Sequence, residues 1–279
     1  MTIALEDAWE DVVGKAAKGL GKDARALAGE TGLPEEKVAA LLRAELDEYA
    51  LRKLAPALNV DADSLIELAR GNYHPGVEPP EGLLVFDFAY PVPGYAEMRV
   101  NAYIVHAPGE THAVIFDCGG QPDKLATALK DRGLSPAALF LTHTHQDHVA
   151  GIDELVRTTG APLYAPKSEP YPDASTVADG EKLSFGALKI SARETGGHSP
   201  GGTTYVIEGA AAPIAIVGDA LFAGAMGGAP GAWEQALERN RKNILSLPDE
   251  TVLCPGHGPI TTVAKEKQHN PFFPEFKQR

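Results

Sequence analysis

The stretch Thr142-His143-Thr144-His145-Gln146-Asp147-His148 constrains this chain more than any other. Three histidines and an aspartate follow directly on the apolar run Ala137-Ala138-Leu139-Phe140-Leu141. That run reads as a buried strand, so the ligand-type side chains are expected together at one sheet edge. Crowded imidazoles are costly to protonate together, whereas in neutral form they make a strong divalent-metal site.

Three later segments repeat the pattern: Thr195-Gly196-Gly197-His198-Ser199-Pro200-Gly201-Gly202, Ala215-Ile216-Val217-Gly218-Asp219 and Val252-Leu253-Cys254-Pro255-Gly256-His257-Gly258-Pro259. Each sets a His or Asp among glycines in a turn near an apolar strand. Glycine allows the tight turn and the close approach of a ligand. One such Gly-His would be weak evidence; four segments at strand ends form a strong signal for a metal centre.

The rest of the chain divides at a linker. Residues 1–76 show apolar positions at helical spacing, among them Val12, Val13 and Ala16, Val38, Leu41 and Leu42, and Leu51, Leu54 and Leu58. Pro34, Asp61 and Gly71 read as helix boundaries, which predicts a bundle of four or five helices. The segment 27–42 resembles a helix-turn-helix core. Residues 1–76 carry nine Lys/Arg against fourteen Asp/Glu, a net of −5, within a chain of net charge −13. A nucleic-acid reader needs cations to displace counterions, so this module is expected to dock onto the larger domain or a second subunit. Proline and glycine in 72–82 mark the linker.

Beyond it, strand-like runs are expected at 83–89, 100–105, 113–116, 137–141, 162–165, 182–185, 187–192, 203–208, 213–217 and 252–254. Helices are expected at 121–132, 149–159 and 233–247. The strands come in meander-like groups, which predicts two packed sheets with helices outside and argues against a parallel βαβ register. The expected fold class is α/β (α+β): residues 1–76 as a small all-α domain and 77–279 as a catalytic sandwich. His74, His106, His112 and His269 lie outside the motifs and are expected to be surface or structural. Cys118 and Cys254 do not form a disulfide framework and are expected as small buried apolar residues. The amino terminus has no basic and apolar leader and no run is long enough to span a membrane, so a cytoplasmic protein is expected.

The residues over 83–271 resemble the metallo-β-lactamase superfamily, with its H-x-H-x-D-H motif followed by single His, Asp and His positions. Within it they are most similar to the glyoxalase II-like hydrolases. Cys254-Pro255-Gly256-His257-Gly258-Pro259-Ile260-Thr261-Thr262 with Glu266-Lys267 and Asn270-Pro271-Phe272-Phe273 resembles the short forms without the extra glutathione-binding domain. The resemblance implies an αββα sandwich. It implies two divalent metal ions, zinc first and iron or manganese as alternatives: one held by His143, His145 and His198, the other by Asp147, His148 and His257, with Asp219 bridging. Asp147 and Asp219 are then the catalytic carboxylates, and Asp117 a supporting hydrogen-bond partner.

The implied reaction is thioester hydrolysis of a small-molecule substrate by a metal-bridging hydroxide. Where glyoxalase II-like proteins carry an Arg after Gly-Asp, this chain has Phe222-Ala223-Gly224-Ala225-Met226-Gly227-Gly228, with no cation to meet a carboxylate. Two alternatives share the scaffold or its parts. One is a mononuclear-iron, persulfide dioxygenase-like enzyme using His143, His198 and Asp219. The other is a metal-fold regulator whose helical domain binds DNA or protein. Nucleic acid and membrane are not expected partners; a homodimer is the candidate assembly.

Overall fold

The computed structural model describes residues 3–277. The chain opens with α1 (Trp9–Gly19), α2 (Ala24–Thr31), α3 (Glu35–Leu41), α4 (Glu48–Leu54), a 3₁₀ turn at Ala55–Leu58 and α5 (Ala62–Ala69). Asp23, Asp47 and Asp61 each accept from a backbone N–H in the first turn of the following helix, which satisfies a donor the helix itself leaves free. Gly32 ends α2 in the left-handed region and turns the chain into α3.

Two six-stranded sheets follow. In the first, β1 (Leu83–Ala89), β2 (Arg99–His106), β3 (His112–Phe116), β4 (Ser135–Phe140), β5 (Leu163–Pro166) and β6 (Ser175–Val177) lie in chain order. In the second, β7 (Lys182–Phe185), β8 (Leu188–Glu194), β9 (Thr203–Glu208), β10 (Ile214–Gly218), β11 (Val252–Pro255) and β12 (Thr261–Thr262) are likewise sequential neighbours. The expectation against a parallel register needs correction. β3, β4, β5 and β6 pair in parallel, as do β10 and β11. Three of the four parallel pairings follow from helical connections: α6 (Pro122–Asp131), α7 (Gln146–Val149) with α8 (Ile152–Thr159), and α9 (Trp233–Asn243) return the chain across a sheet face, while residues 167–174 join β5 to β6 without a helix. The single helix expected at 149–159 is broken by Gly151, whose φ of +79° no α-helix contains. The α9 helix stops at Asn243 instead of running to 247, and β6, β12 and α10 (Val263–His269) are additional elements.

Period-2 alternation separates the layers. From β10, Ile214 and Ile216 enter the core between the sheets; Ala215 and Val217 face the outer helices. From β4, Ala138 and Phe140 point into the same inner core, while Leu139 and Leu141 lie under α6 and α8. Phe140 stacks with Tyr164 and meets Tyr205 edge-on, at centroid distances of 4.8 and 4.9 Å. The layers are helices, sheet, sheet, helices: the expected αββα sandwich.

The amino-terminal helices complete the outer layer of the second sheet. Val12, Leu27, Leu51, Leu54 and Leu65 share one apolar cluster with Trp233, Leu237, Leu253 and Phe272. Tyr73 donates to the buried Glu266 carboxylate, which also accepts from Thr261, Asn270 and the Gly224 N–H. His269 pairs with Glu67 and stacks on Tyr73, a structural role. His74 and His112 are exposed, and both cysteines are buried and free. Among the described residues no helix is long and apolar enough to cross a membrane.

The α1–α9 contact is tight enough to test. A Cβ at Gly19 would overlap the Trp233 ring. Gly19→Ala is expected to destabilise the fold by about 1–3 kcal/mol through overpacking, read as a lower denaturation midpoint with an unchanged m-value.

Candidate metal centre

The fold delivers the seven ligand-type side chains named above to one edge of the sandwich. His143 and His145 leave the end of β4, and Asp147 and His148 sit on the single turn of α7. His198 comes from the β8–β9 turn, Asp219 from the end of β10 and His257 from just after β11. The parallel strands β4, β10 and β11 all point their carboxyl ends here, where open α/β sheets bind ligands.

Three groups of these residues could each hold an ion: His143, His145 and His198; Asp147, His148 and His257; and His143, His148 and Asp219. The spacing has a physical meaning. Two ligand atoms each about 2.1 Å from one tetrahedral ion stand about 3.4 Å apart. His148 Nε2 lies 3.4 Å from Asp219 Oδ1 and 3.6 Å from Asp147 Oδ2. His257 Nε2 lies 3.3 Å from a carboxylate oxygen of both Asp147 and Asp219, and His198 Nε2 lies 3.3 Å from Asp219 Oδ2. His148 Nε2 and Asp219 Oδ1 are buried with no hydrogen-bond partner. Orphaned polar atoms at ligand spacing are what a cation site leaves when described by protein atoms alone. The donor set fits a divalent ion.

The surroundings aim the rings. His148 Nδ1–H donates to Asp117 at 2.9 Å, His143 Nδ1–H to Thr142 Oγ1 at 3.0 Å, and His198 Nδ1–H to the Gly228 carbonyl at 3.0 Å. His257 Nδ1–H donates to the Arg99 carbonyl. In each case Nε2 is left free and turned inward, which is how outer hydrogen bonds orient metal-ligating imidazoles. His145 is the exception and faces the cluster with Nδ1, 3.1 Å from His143 Nε2 and 3.0 Å from His198 Nε2. Asp117 also accepts from the Thr142 N–H and hydroxyl, and holds φ at +57° to do so. Asp and Asn tolerate this region better than most residues. Backbone must also pass close to the cluster: a Cβ at Gly256 would overlap Asp219 Oδ1 and stand 2.7 Å from His148 Cε1.

Charge is unevenly distributed over the site. Burial, then the neighbouring His148, pushes His143 well below the usual imidazole range, and burial also lowers His198. Burial also pulls on His148, but Asp117 and Asp219 outweigh it and lift this ring to about 10. Burial is likewise outweighed at His257, which Asp219 and Asp147 raise to about 12. Asp147 is lowered to about 2 because its bonds to His257 and His148 overcome burial; Asp219 falls well below its usual range for the same reason.

Sequence reasoning missed Glu169. One carboxylate oxygen accepts from the Thr144 N–H and hydroxyl, both at 2.7 Å; the other accepts from the Ser199 hydroxyl and, at 2.8 Å, the Gly201 N–H. It ties the turn carrying His143 and His145 to the turn carrying His198. No local signal marks it, because its partners lie 25 to 32 residues away in the chain. The 223–231 loop also borders the centre, since a Cβ at Gly227 would stand 2.8 Å from His198 Nδ1. Residues 223–227 are buried beneath the helices, with Gly224 against Tyr73 and Leu68.

Comparison with known proteins places this geometry. Residues 95–257 match the model of the metallo-β-lactamase superfamily. A probable metallo-hydrolase of Bacillus subtilis, YqgX, is 32% identical over 204 residues, covering 64% of this chain and 94% of its own. Hydroxyacylglutathione hydrolase GloC of Haemophilus influenzae is 27% identical over 58% of this chain and 88% of its own. Among solved structures, the BLEG-1 B3 metallo-β-lactamase superposes with a TM-score of 0.59 at 29% identity, covering 68% of this chain and 99% of that one. TTHA1623 in a di-iron-bound form gives 0.50 at 30% identity, covering 62% and 95%.

Two outcomes follow from the electrostatics and the clamp. With their raised values, His148 and His257 carry protons at pH 7 in the metal-free protein, whereas His143 and His198 do not. Filling the Asp147/His148/His257 group is therefore expected to release about two protons, whereas His143 and His198 release none. Calorimetric Zn²⁺ titration in buffers of different ionisation enthalpy measures this, and affinity of the first group should rise with pH between 6 and 9. Glu169→Gln sets an amide N–H₂ against existing donors and is expected to weaken metal binding by about 10- to 100-fold. The loss should fall on the His143/His145/His198 group, as read by Co²⁺ absorption.

Proposed function

The chain belongs to the metallo-β-lactamase superfamily, and from that premise we propose that it is a dinuclear metallohydrolase acting on thioesters. The observation that carries this reading is the sharing of Asp219. Its Oδ1 faces His148 of one group, and its Oδ2 faces both His198 of the other and His257. A carboxylate placed between two three-residue groups suits a pair of ions. The relatives support the substrate class, since GloC is a hydroxyacylglutathione hydrolase. TTHA1623, similar in fold and solved in a di-iron-bound form, supports two ions. Zinc is the first expectation for this donor set of nitrogen and oxygen without thiolate, with iron or manganese as alternatives.

In this proposal His143, His145 and His198 would hold one ion and Asp147, His148 and His257 the other, with Asp219, which faces both groups, serving each. When bound, the pair supplies Lewis acidity and an activated water. The chain's own contribution is orientation. Asp117, Thr142, Arg99 and Gly228 fix the imidazole tautomers through the Nδ1 bonds described above. The carboxylates of Asp147 and Asp219 stay ionised because His257 and His148 lower them. The more open side is that of His145, which is exposed, and His198, which is 24% exposed, so the substrate carbonyl enters there. A thiolate leaves without a strong general acid, given an ordinary thiol pKa of about 8.5. The proposal keeps residues 1–76 as the helical module and 77–279 as the hydrolase domain. It places the protein in the cytoplasm, with which two free, buried cysteines agree.

Metal analysis and a substrate panel test this directly. Two divalent ions per chain and turnover of S-D-lactoylglutathione or a simpler thioester are expected. Asp219→Asn should lower kcat/KM by at least about 100-fold. One iron per chain, with oxygen uptake and sulfite formation from a persulfide, would instead establish the persulfide dioxygenase-like reading.

A further inference from the structure

One cation of the amino-terminal helices reaches the loop that borders the metal centre. On α1, Trp9, Val12, Val13, Ala16 and Ala17 are buried, and Lys15 lies among them, half-buried. A lysine at such a border lays its methylenes along apolar surface and carries its ammonium group to polar partners. Here the ammonium pairs with the buried Asp7 carboxylate and donates to the Met226 carbonyl at 3.0 Å. It also stands over the Phe222 ring, 5.1 Å from the centroid.

The Met226 carbonyl belongs to the peptide unit that joins Met226 to Gly227, and that unit is held at both ends. Its oxygen accepts from Lys15, and its N–H, on Gly227, donates to the Asp219 carbonyl at 3.1 Å. Asp219 is the residue whose carboxylate faces both three-residue groups. One residue further on, the Gly228 carbonyl accepts from His198 Nδ1–H. The backbone here has little slack, because a Cβ at Gly227 would overlap the Asp219 carbonyl oxygen as well as crowd His198. On the other arm of the loop, Phe222 and Ala225 exchange two backbone hydrogen bonds, and the Phe222 ring meets His257 edge-on at 5.6 Å. Met226 is buried, and among the described residues no other group donates to its carbonyl. A buried carbonyl that loses its donor is destabilised. Rotation of this peptide unit towards another donor would pull the Gly227 N–H off Asp219 and shift the Gly228 carbonyl beside His198.

We propose that Lys15 is a positioning residue for the metal centre. By holding the Met226–Gly227 peptide unit, it fixes the carbonyl that orients His198 and so sets the affinity and geometry of the His143/His145/His198 group. Lys15 lies outside residues 95–257, the stretch that matches the superfamily model, so the helical module supplies this support. The inference rests on the metal-centre reading and is independent of the thioester one.

The test uses the full-length protein with Zn²⁺ and Co²⁺ as probes. Lys15→Met removes the donor but also strands the buried Asp7 carboxylate. Asp7→Asn/Lys15→Met is therefore measured beside it: the carbonyl still lacks its donor, while no charge is left unpaired. Both variants are expected to bind Zn²⁺ at the His143/His145/His198 group about ten-fold more weakly than the wild type, read by chelator competition. The Co²⁺ absorption band of that group should shift in both, since the His198 ring is no longer held in place. A lower melting temperature with wild-type affinity and spectrum would mark Lys15 as merely structural and overturn the proposal. Recovery of affinity and spectrum in the double variant would trace the loss to Asp7 and overturn it as well. Failure of the wild type to bind Zn²⁺ sinks the metal-centre reading, and this proposal with it.

Discussion

Two buried carboxylates and five imidazoles meet at one sheet edge, and the rest of the site exists to keep that gathering from flying apart. Burial alone would drive Asp219 neutral and strip His148 and His257 of their protons; instead each compensates the other. Asp117 anchors the arrangement from beneath by accepting from Thr142 and His148. Removing one partner of such a network leaves an uncompensated buried charge, which costs far more than a surface pair. The positive φ of Asp117 and the bare Cα of Gly256 are local concessions to this electrostatic demand.

The chemistry-bearing residues were legible because their signal is local. Three histidines and an aspartate after an apolar strand need no tertiary knowledge to be noticed, and the three Gly-flanked turns repeat the pattern. The seven residues named from the sequence are the seven the structure gathers. Strand positions were legible at β1, β7 and β9, whose bounds match the expected ones. What stayed hidden is non-local. Parallel pairing of β3 to β5 depends on which face each short helix crosses, and period-2 patterns say nothing about strand direction. The clamp at Glu169 has its donors on two remote turns. β12, of two residues, is set by pairing with β11 and not by its own composition.

The helical segment read as separable from sequence composition, yet its apolar side is continuous with the outer face of the second sheet. Leu51, Leu54 and Leu65 lie in the cluster that holds Trp233 and Phe272. Glu266 binds the two regions with polar contacts, joining Tyr73 to the Gly224 backbone. Loop 223–231 is consequently supported from outside the sandwich. Its Gly228 carbonyl orients His198, so α1 and Tyr73 bear on the metal centre through the loop they support.

That continuity sets a timetable for the chain as it is made. The helices of residues 9–69 leave a ribosome some two hundred residues ahead of their partners: Lys15 ahead of Met226, Tyr73 ahead of Glu266 and Asp61 ahead of the Pro271 carbonyl. Until the final strand and α10 appear, the apolar face of the bundle has nothing to lie on. Such long-range closure slows folding and leaves greasy surface open meanwhile. The metal centre inherits the same schedule, because His257 is its last member to be synthesised, and the assembled site is a product of the finished polypeptide.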